Sequence, residues 1–166
     1  MGIARKTFSN LSCEIFISIF KALVRPHLEY ATPVWSPHGH GNGYLKTKIE
    51  DVQRRATKRI PGMKDLCYSA RLRKLKLPTL AYRRVRGDMI QVFKLLMPIK
   101  KGAYDSSLPK LLKLKSDIGI RVVGGKNNKQ LYKGNVRNNL AKSSFNFRVC
   151  KLWNSLPLHT IDSSTV

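Results

Sequence analysis

The stretch Pro78-Thr79-Leu80-Ala81-Tyr82-Arg83-Arg84-Val85-Arg86-Gly87-Asp88-Met89-Ile90-Gln91-Val92-Phe93-Lys94-Leu95-Leu96-Met97-Pro98 decides the fold. Leu80, Val85, Met89, Val92, Phe93 and Leu96 recur at the period of a helix, and a proline stands at either end of the run. A helix this long with one apolar stripe must bury that stripe on other elements. The chain is therefore predicted to be mainly α: a small helical bundle with a short β-hairpin and a C-terminal helix. Gly87 lies inside the run, where glycine costs about 1 kcal/mol relative to alanine. It marks either close packing or a tolerated defect.

Upstream, Ile15, Phe16, Ile19, Phe20, Leu23 and Val24 predict a first helix over 12–30, kinked or restarted at Pro26. Thr32-Pro33-Val34-Trp35-Ser36-Pro37 argues against regular helix, and Gly39, Gly41, Asn42 and Gly43 read as a turn. A second helix is expected from Tyr44 to Arg59, with Leu45, Ile49, Val52 and Ala56 on its buried face and Ile60 closing it before Pro61-Gly62. A short helical turn follows near 69–75. Downstream, lysine alternates with leucine over 108–114, and 117–123 with 129–133 read as two strands around Gly124-Gly125-Lys126-Asn127-Asn128. A last helix is predicted over 143–155, with Phe145, Val149, Leu152 and Trp153 on one side. The expected division is a basic helical domain over 1–101, a basic linker with the hairpin over 102–142, and a C-terminal helix and tail over 143–166. Both Trp35 and Trp153 are assigned to the core.

Charge is the strongest compositional signal. The 166 residues carry 32 Lys and Arg against 9 Asp and Glu, a formal charge of +23, while the hydrophobic fraction of 42% is that of a folded protein. A polyanionic partner is expected, with salt-sensitive association. Residues 44–86 hold fourteen Lys or Arg against Glu50, Asp51 and Asp65, so nearly half of the excess lies there. Arg54 with Lys58, and Arg55 with Arg59, set like charges one helical turn apart, a repulsion that phosphates would relieve. Arg83, Arg84 and Arg86 crowd the first turns of the long helix, where the dipole disfavours cations, so an anion is expected alongside. The candidate nucleic-acid contacts are Arg54, Arg55, Lys58, Arg59, Arg71, Arg73, Lys74, Arg83, Arg84 and Arg86. Tyr68 and Tyr82 are candidates for base stacking, with core packing the competing reading.

Catalytic signatures are weak. Metal-assisted nucleotide transfer needs converging carboxylates, and the nine acids are scattered. Glu50-Asp51, the only adjacent pair, is read as complementing the dipole of its own helix. His38 and His40 lack further ligands, Gly124-Gly125-Lys126 fails the phosphate-loop spacing, and no Ser, His and Cys arrangement orients a nucleophile. No catalytic residue, metal ligand or cofactor is expected. Cys13, Cys67 and Cys150 fit neither a disulfide framework nor a metal site, which suggests a reducing, intracellular location, nucleus or cytoplasm. Glu14 and Lys21 interrupt the apolar stretch 11–24, so no membrane span or secretory segment is expected.

Several runs taken together resemble a known family. Leu23-Val24-Arg25-Pro26-His27-Leu28-Glu29-Tyr30-Ala31, Val34-Trp35-Ser36-Pro37-His38 and Val52-Gln53-Arg54-Arg55-Ala56-Thr57-Lys58 are similar to the region downstream of the palm in reverse transcriptases of LINE-type, jockey-like non-LTR retrotransposons. So are Leu77-Pro78-Thr79-Leu80, then Tyr82 to Ile90 and Val92-Phe93-Lys94. Phe147-Arg148-Val149 and Trp153-Asn154-Ser155-Leu156-Pro157 resemble that family's tail. The resemblance implies a thumb-like region and C-terminal segment of an RNA-directed DNA polymerase, gripping RNA, DNA or an RNA–DNA hybrid. It implies magnesium for the parent polymerase, and a palm domain as partner. The family's palm with its metal-binding Ala-Asp-Asp block, the fingers and the endonuclease are not in this sequence, and the Met1 start suggests a truncated reading frame. The competing expectations are a basic structural RNA-binding protein of ribosomal or chromatin type, and a retroelement remnant without selected function.

Overall fold

The computed structural model describes residues 12–36, 43–96, 112–120 and 129–162, and these residues are mainly helical. They fall into two compact units: 12–32 with 43–84, and 33–36 with 85–96, 112–120 and 129–162.

In the first unit, α1 (Cys13–Ile19) runs through a π-helical segment (Phe20–Val24) into α2 (Arg25–Glu29). The kink expected at Pro26 is this widened turn. Proline has no N–H and its ring crowds the carbonyl four residues back. The Arg25 N–H donates to the Phe20 carbonyl five residues back, and the extra residue absorbs the clash. Only Phe16 and Phe20 of the predicted stripe are fully buried; Leu23 remains 64% exposed. α4 (Gly43–Lys58) and α5 (Tyr68–Lys74) complete the unit with the first turns of α6 (Leu80–Leu96). Their core holds Phe16, Phe20, Ala56, Ile60, Met63, Leu72, Leu75 and Leu77.

The buried face of α4 differs from the predicted one. Gln53, Ala56 and Thr57 are buried there, whereas Leu45 and Val52 are exposed. The polar side chains go inside because they find partners. Gln53 Nε2 donates to the Tyr68 hydroxyl (3.1 Å) and the Pro78 carbonyl (3.0 Å), and the Thr57 hydroxyl donates to the Gln53 carbonyl (2.9 Å).

In the second unit, the later turns of α6 pack with α8 (Phe145–Ser155) and α9 (Leu158–Ile161) around Val92, Phe93, Leu112, Leu131, Val149, Trp153 and Ile161. The chain therefore divides within α6 and not near residue 101, and the predicted linker and C-terminal helix share one core. α8 begins at Phe145 after the short α7 (Asn139–Ser143), and Leu152 is exposed where burial was expected. α3 (Thr32–Trp35) is one helical turn in a segment read as non-helical. Proline is tolerated in a first turn, where no helical carbonyl awaits its N–H. Trp153 is buried as expected, but Trp35 is 39% exposed.

Among the described residues the expected hairpin is a single antiparallel bridge between Leu114 and Leu131, with Lys115 N donating to Gln130 O and Tyr132 N to Lys113 O. Among the described residues pairing thus involves 113–115, not 117–120. A 3-10 turn at Ser116–Ile118 ends on Gly119 at φ +71 and breaks the first predicted strand. Its remainder and the turn 124–128 lie outside the described residues, as do 37–42 and 97–111. The Asn154 side chain supplies the pairing that a longer strand would: its Oδ1 accepts from Leu131 N and its Nδ2 donates to Leu131 O, both at 2.9 Å.

Gly87 proves to be the tolerated defect. A Cβ there would meet no atom within 4 Å, and the residue is exposed. Gly87→Ala is expected to raise unfolding free energy by about 0.5–1 kcal/mol in urea denaturation; a loss of stability would contradict the open surface.

Candidate nucleic-acid interface

The start of α6 shows how the acids of this chain are used. A helix begins with N–H groups that have no partner in the preceding turn. Here Thr79 Oγ1 accepts from Tyr82 N (3.1 Å), while Glu50 Oε1 accepts from Leu80 N (3.2 Å) and Glu50 Oε2 from Ala81 N (3.1 Å). The Tyr68 hydroxyl also donates to Glu50. Glu50 therefore caps a helix thirty residues away and lies in the middle of α4, not at the start as the dipole reading had it. Burial, and then this hydrogen bond to a carboxylate, push the Tyr68 phenol well above its usual range. Glu50→Ala leaves two helix donors and a half-buried phenol unpaired. It is expected to cost about 1–3 kcal/mol in thermal or urea unfolding, and a cost near zero would refute the cap.

The anion anticipated beside the arginines of α6 is, for Arg83, an internal one. Glu29 accepts from both Nε and Nη2 of Arg83, the latter at 2.7 Å. Arg25 Nε stands 3.7 Å from the same carboxylate. The Glu29 hydrogen bond raises the Arg83 pKa, whereas burial and then the Arg83 charge lower that of Arg25.

The ten candidate cations consequently separate. Arg71 and Arg84 are buried, at 4% and 3% exposure, and so are not exposed contacts. Arg71 donates to the carbonyls of Leu66 (2.7 Å) and Arg54 (3.5 Å), and its guanidinium lies 5.8 Å from the Tyr68 ring centroid. Arg54 pairs with Asp51 and lies 5.1 Å from the same ring centroid. With both guanidinium groups against its ring and its hydroxyl on Glu50, Tyr68 is a packing residue here and not a stacking platform. Tyr82 is 60% exposed and keeps an accessible ring.

Arg55, Lys58, Arg59, Arg73 and Lys74 remain exposed in the first unit and form no ion pair among the described residues; Lys48, Lys64 and Lys76, outside the predicted set, share that state. At 100° per residue Lys48 and Arg55 fall within about 20° of one another, about 80–180° round α4 from the buried Gln53, Ala56 and Thr57, and Arg59 follows directly after the helix. Lys48 Nζ lies 4.9 Å from the Tyr44 ring centroid. This ridge of cations can hold anionic groups by charge without demanding a particular sequence.

Compared with protein-family models, curated proteins and solved structures, the chain matches none of them. Among the described residues no group of three or more His, Cys, Asp and Glu could hold a metal ion. No helix among them is long and apolar enough to cross a membrane. All three cysteines are free, and His38, His40 and Asp105 lie outside the described residues.

In the second unit Asp88 and Arg148 form a buried bidentate pair. Arg148 Nε donates to Asp88 Oδ2 and its Nη2 to Oδ1, both at 3.0 Å, with side-chain exposures of 4% and 2%. The sequence reading left Asp88 unassigned. Its position was the signal: Asp88 falls among Val85, Met89 and Val92, and Arg148 among Phe145, Val149 and Leu152, each a charge on an apolar stripe. Arg86, also in this unit, is exposed.

Proposed function

We propose that this chain is a nucleic-acid-binding, thumb-like and C-terminal portion of a LINE-type non-LTR retrotransposon reverse transcriptase, gripping template–primer phosphates and not catalytic by itself. The observation that carries the reading is the set of exposed, unpaired cations of the first unit: Arg55, Lys58, Arg59, Arg73 and Lys74, with Lys48 in line. An ordinary solvated face interleaves acids with its bases; here Glu29 and Glu50 are turned to internal donors and Asp51 is paired with Arg54. The mainly helical architecture supports the same reading. So does the placement of the residues that carry the resemblance, since Thr79, Asp88, Arg148, Trp153 and Asn154 all have defined packing or bonding duties. A fragment that kept these positions would keep its fold.

Phosphate gripping releases counterions, so log affinity should fall steeply and linearly with log salt, by about 0.9 per phosphate neutralised. Filter binding of a labelled RNA–DNA hybrid across a salt series tests this directly. A flat response removes the proposal.

A further inference from the structure

The second unit contains a cavity of about 270 Å³. Leu131, Cys150 and the aromatic residues Tyr132 and Phe147 line it, together with the polar residues Lys113 and Asn146. Burial raises the Cys150 pKa, and the thiol donates to the Asn146 carbonyl (2.9 Å), so the wall is uncharged at that point. Lys133 Nζ lies 4.5 Å from the Phe147 ring centroid, which puts a second lysine at the site. The Asn146 side-chain amide has no partner among the described residues, and residues 133–137 beside it make no backbone hydrogen bond there.

Size, rings and charge together select an occupant. Pockets for drug-sized ligands begin at about 300 Å³, so this one suits a single heterocycle. The Tyr132 ring and the face of Phe147 away from Lys133 offer stacking surfaces, and the free amide and backbone groups can pair with a polar ring edge. An aliphatic side chain would use none of these, and charged groups are depleted where apolar partners dock. We infer that the cavity takes one unpaired nucleobase of a single-stranded segment, with the flanking phosphates on Lys113 and Lys133. The inference rests on the proposed function only in taking nucleic acid as the partner. It adds a site that distinguishes bases from bare phosphates.

The test compares, by fluorescence anisotropy of the full chain at fixed salt, a ten-nucleotide single strand with an abasic strand of equal phosphate number. The base-bearing strand is expected to bind about 5- to 150-fold more tightly, the worth of one stacked base. Phe147→Leu and, separately, the more exposed Tyr132→Leu should each reduce that ratio several-fold. Circular dichroism checks the fold, and if Phe147→Leu does not fold, Tyr132→Leu decides. A 2-aminopurine placed in the strand should lose emission on binding through stacking. Equal binding of the two strands, an unquenched 2-aminopurine, or a ratio that survives in folded variants overturns the cavity site while leaving phosphate gripping intact. Failure to bind either strand overturns both.

Discussion

Asp88→Ala is expected to destabilise the second unit by about 3–5 kcal/mol, because it leaves the Arg148 guanidinium buried without its counter-charge. That is a large share of the 5–15 kcal/mol typical of a folded domain. Arg148 also donates to the carbonyls of Ser143 (3.2 Å) and Pro33 (3.0 Å), and its guanidinium lies 5.4 Å from the Phe145 ring centroid. Removing the arginine therefore strands two carbonyls as well as Asp88. Urea unfolding followed by tryptophan emission reads the effect, since Trp153 belongs to the same core. The double variant Asp88→Leu with Arg148→Met should lose less than the two single losses combined, as an apolar pair tolerates burial that a lone charge does not. A single-variant loss below about 1 kcal/mol would show that the pair is solvated.

The second large effect concerns binding. Replacing Arg55, Lys58 and Arg59 together by glutamine should lower the salt slope by about 2–3 units, one per lost phosphate contact. The affinity lost between 50 and 200 mM salt would then shrink by about 40-fold. Stability should hold or rise slightly, because the repulsion between Arg55 and Arg59 disappears. An unchanged slope would move the contact surface elsewhere. The same substitutions at Arg71 and Arg84 should instead damage folding, since both are buried.

These contrasts explain what the sequence revealed and what it hid. The helices over Gly43–Lys58 and Leu80–Leu96 were legible because a 3.6-residue period persists through several turns. The buried face of the first of these was not. Periodicity ranks Leu45 and Val52 as interior, yet Gln53 takes their place by donating to Tyr68 and Pro78, on segments that no local pattern connects, and Thr57 by donating to carbonyls of its own helix. Charge counting found the basic region but treated every arginine alike. Separating Arg55 from Arg71 requires knowing that the Leu66 carbonyl lies within reach of one guanidinium. Likewise Glu50 and Leu80 meet across thirty residues, beyond what any spacing rule reports. The strand around Leu131 was legible, but its partner was placed at 117–123 because alternation alone does not say which neighbouring segment pairs.

The disposition of the acids has a thermodynamic corollary. Glu29, Glu50, Asp51, Asp88, Asp117 and Asp162 each hold an internal donor, leaving Glu14 and Asp65 as the other described carboxylates. With nine acids against 32 Lys and Arg, few negative charges offset the outward field, so in dilute buffer the folded chain works against its own electrostatic self-energy. A polyanion that binds only the folded form removes part of that burden and raises the apparent melting temperature by mass action. For a molecule built this way, ligand and stability are linked quantities: the nucleic acid it holds contributes to keeping it folded.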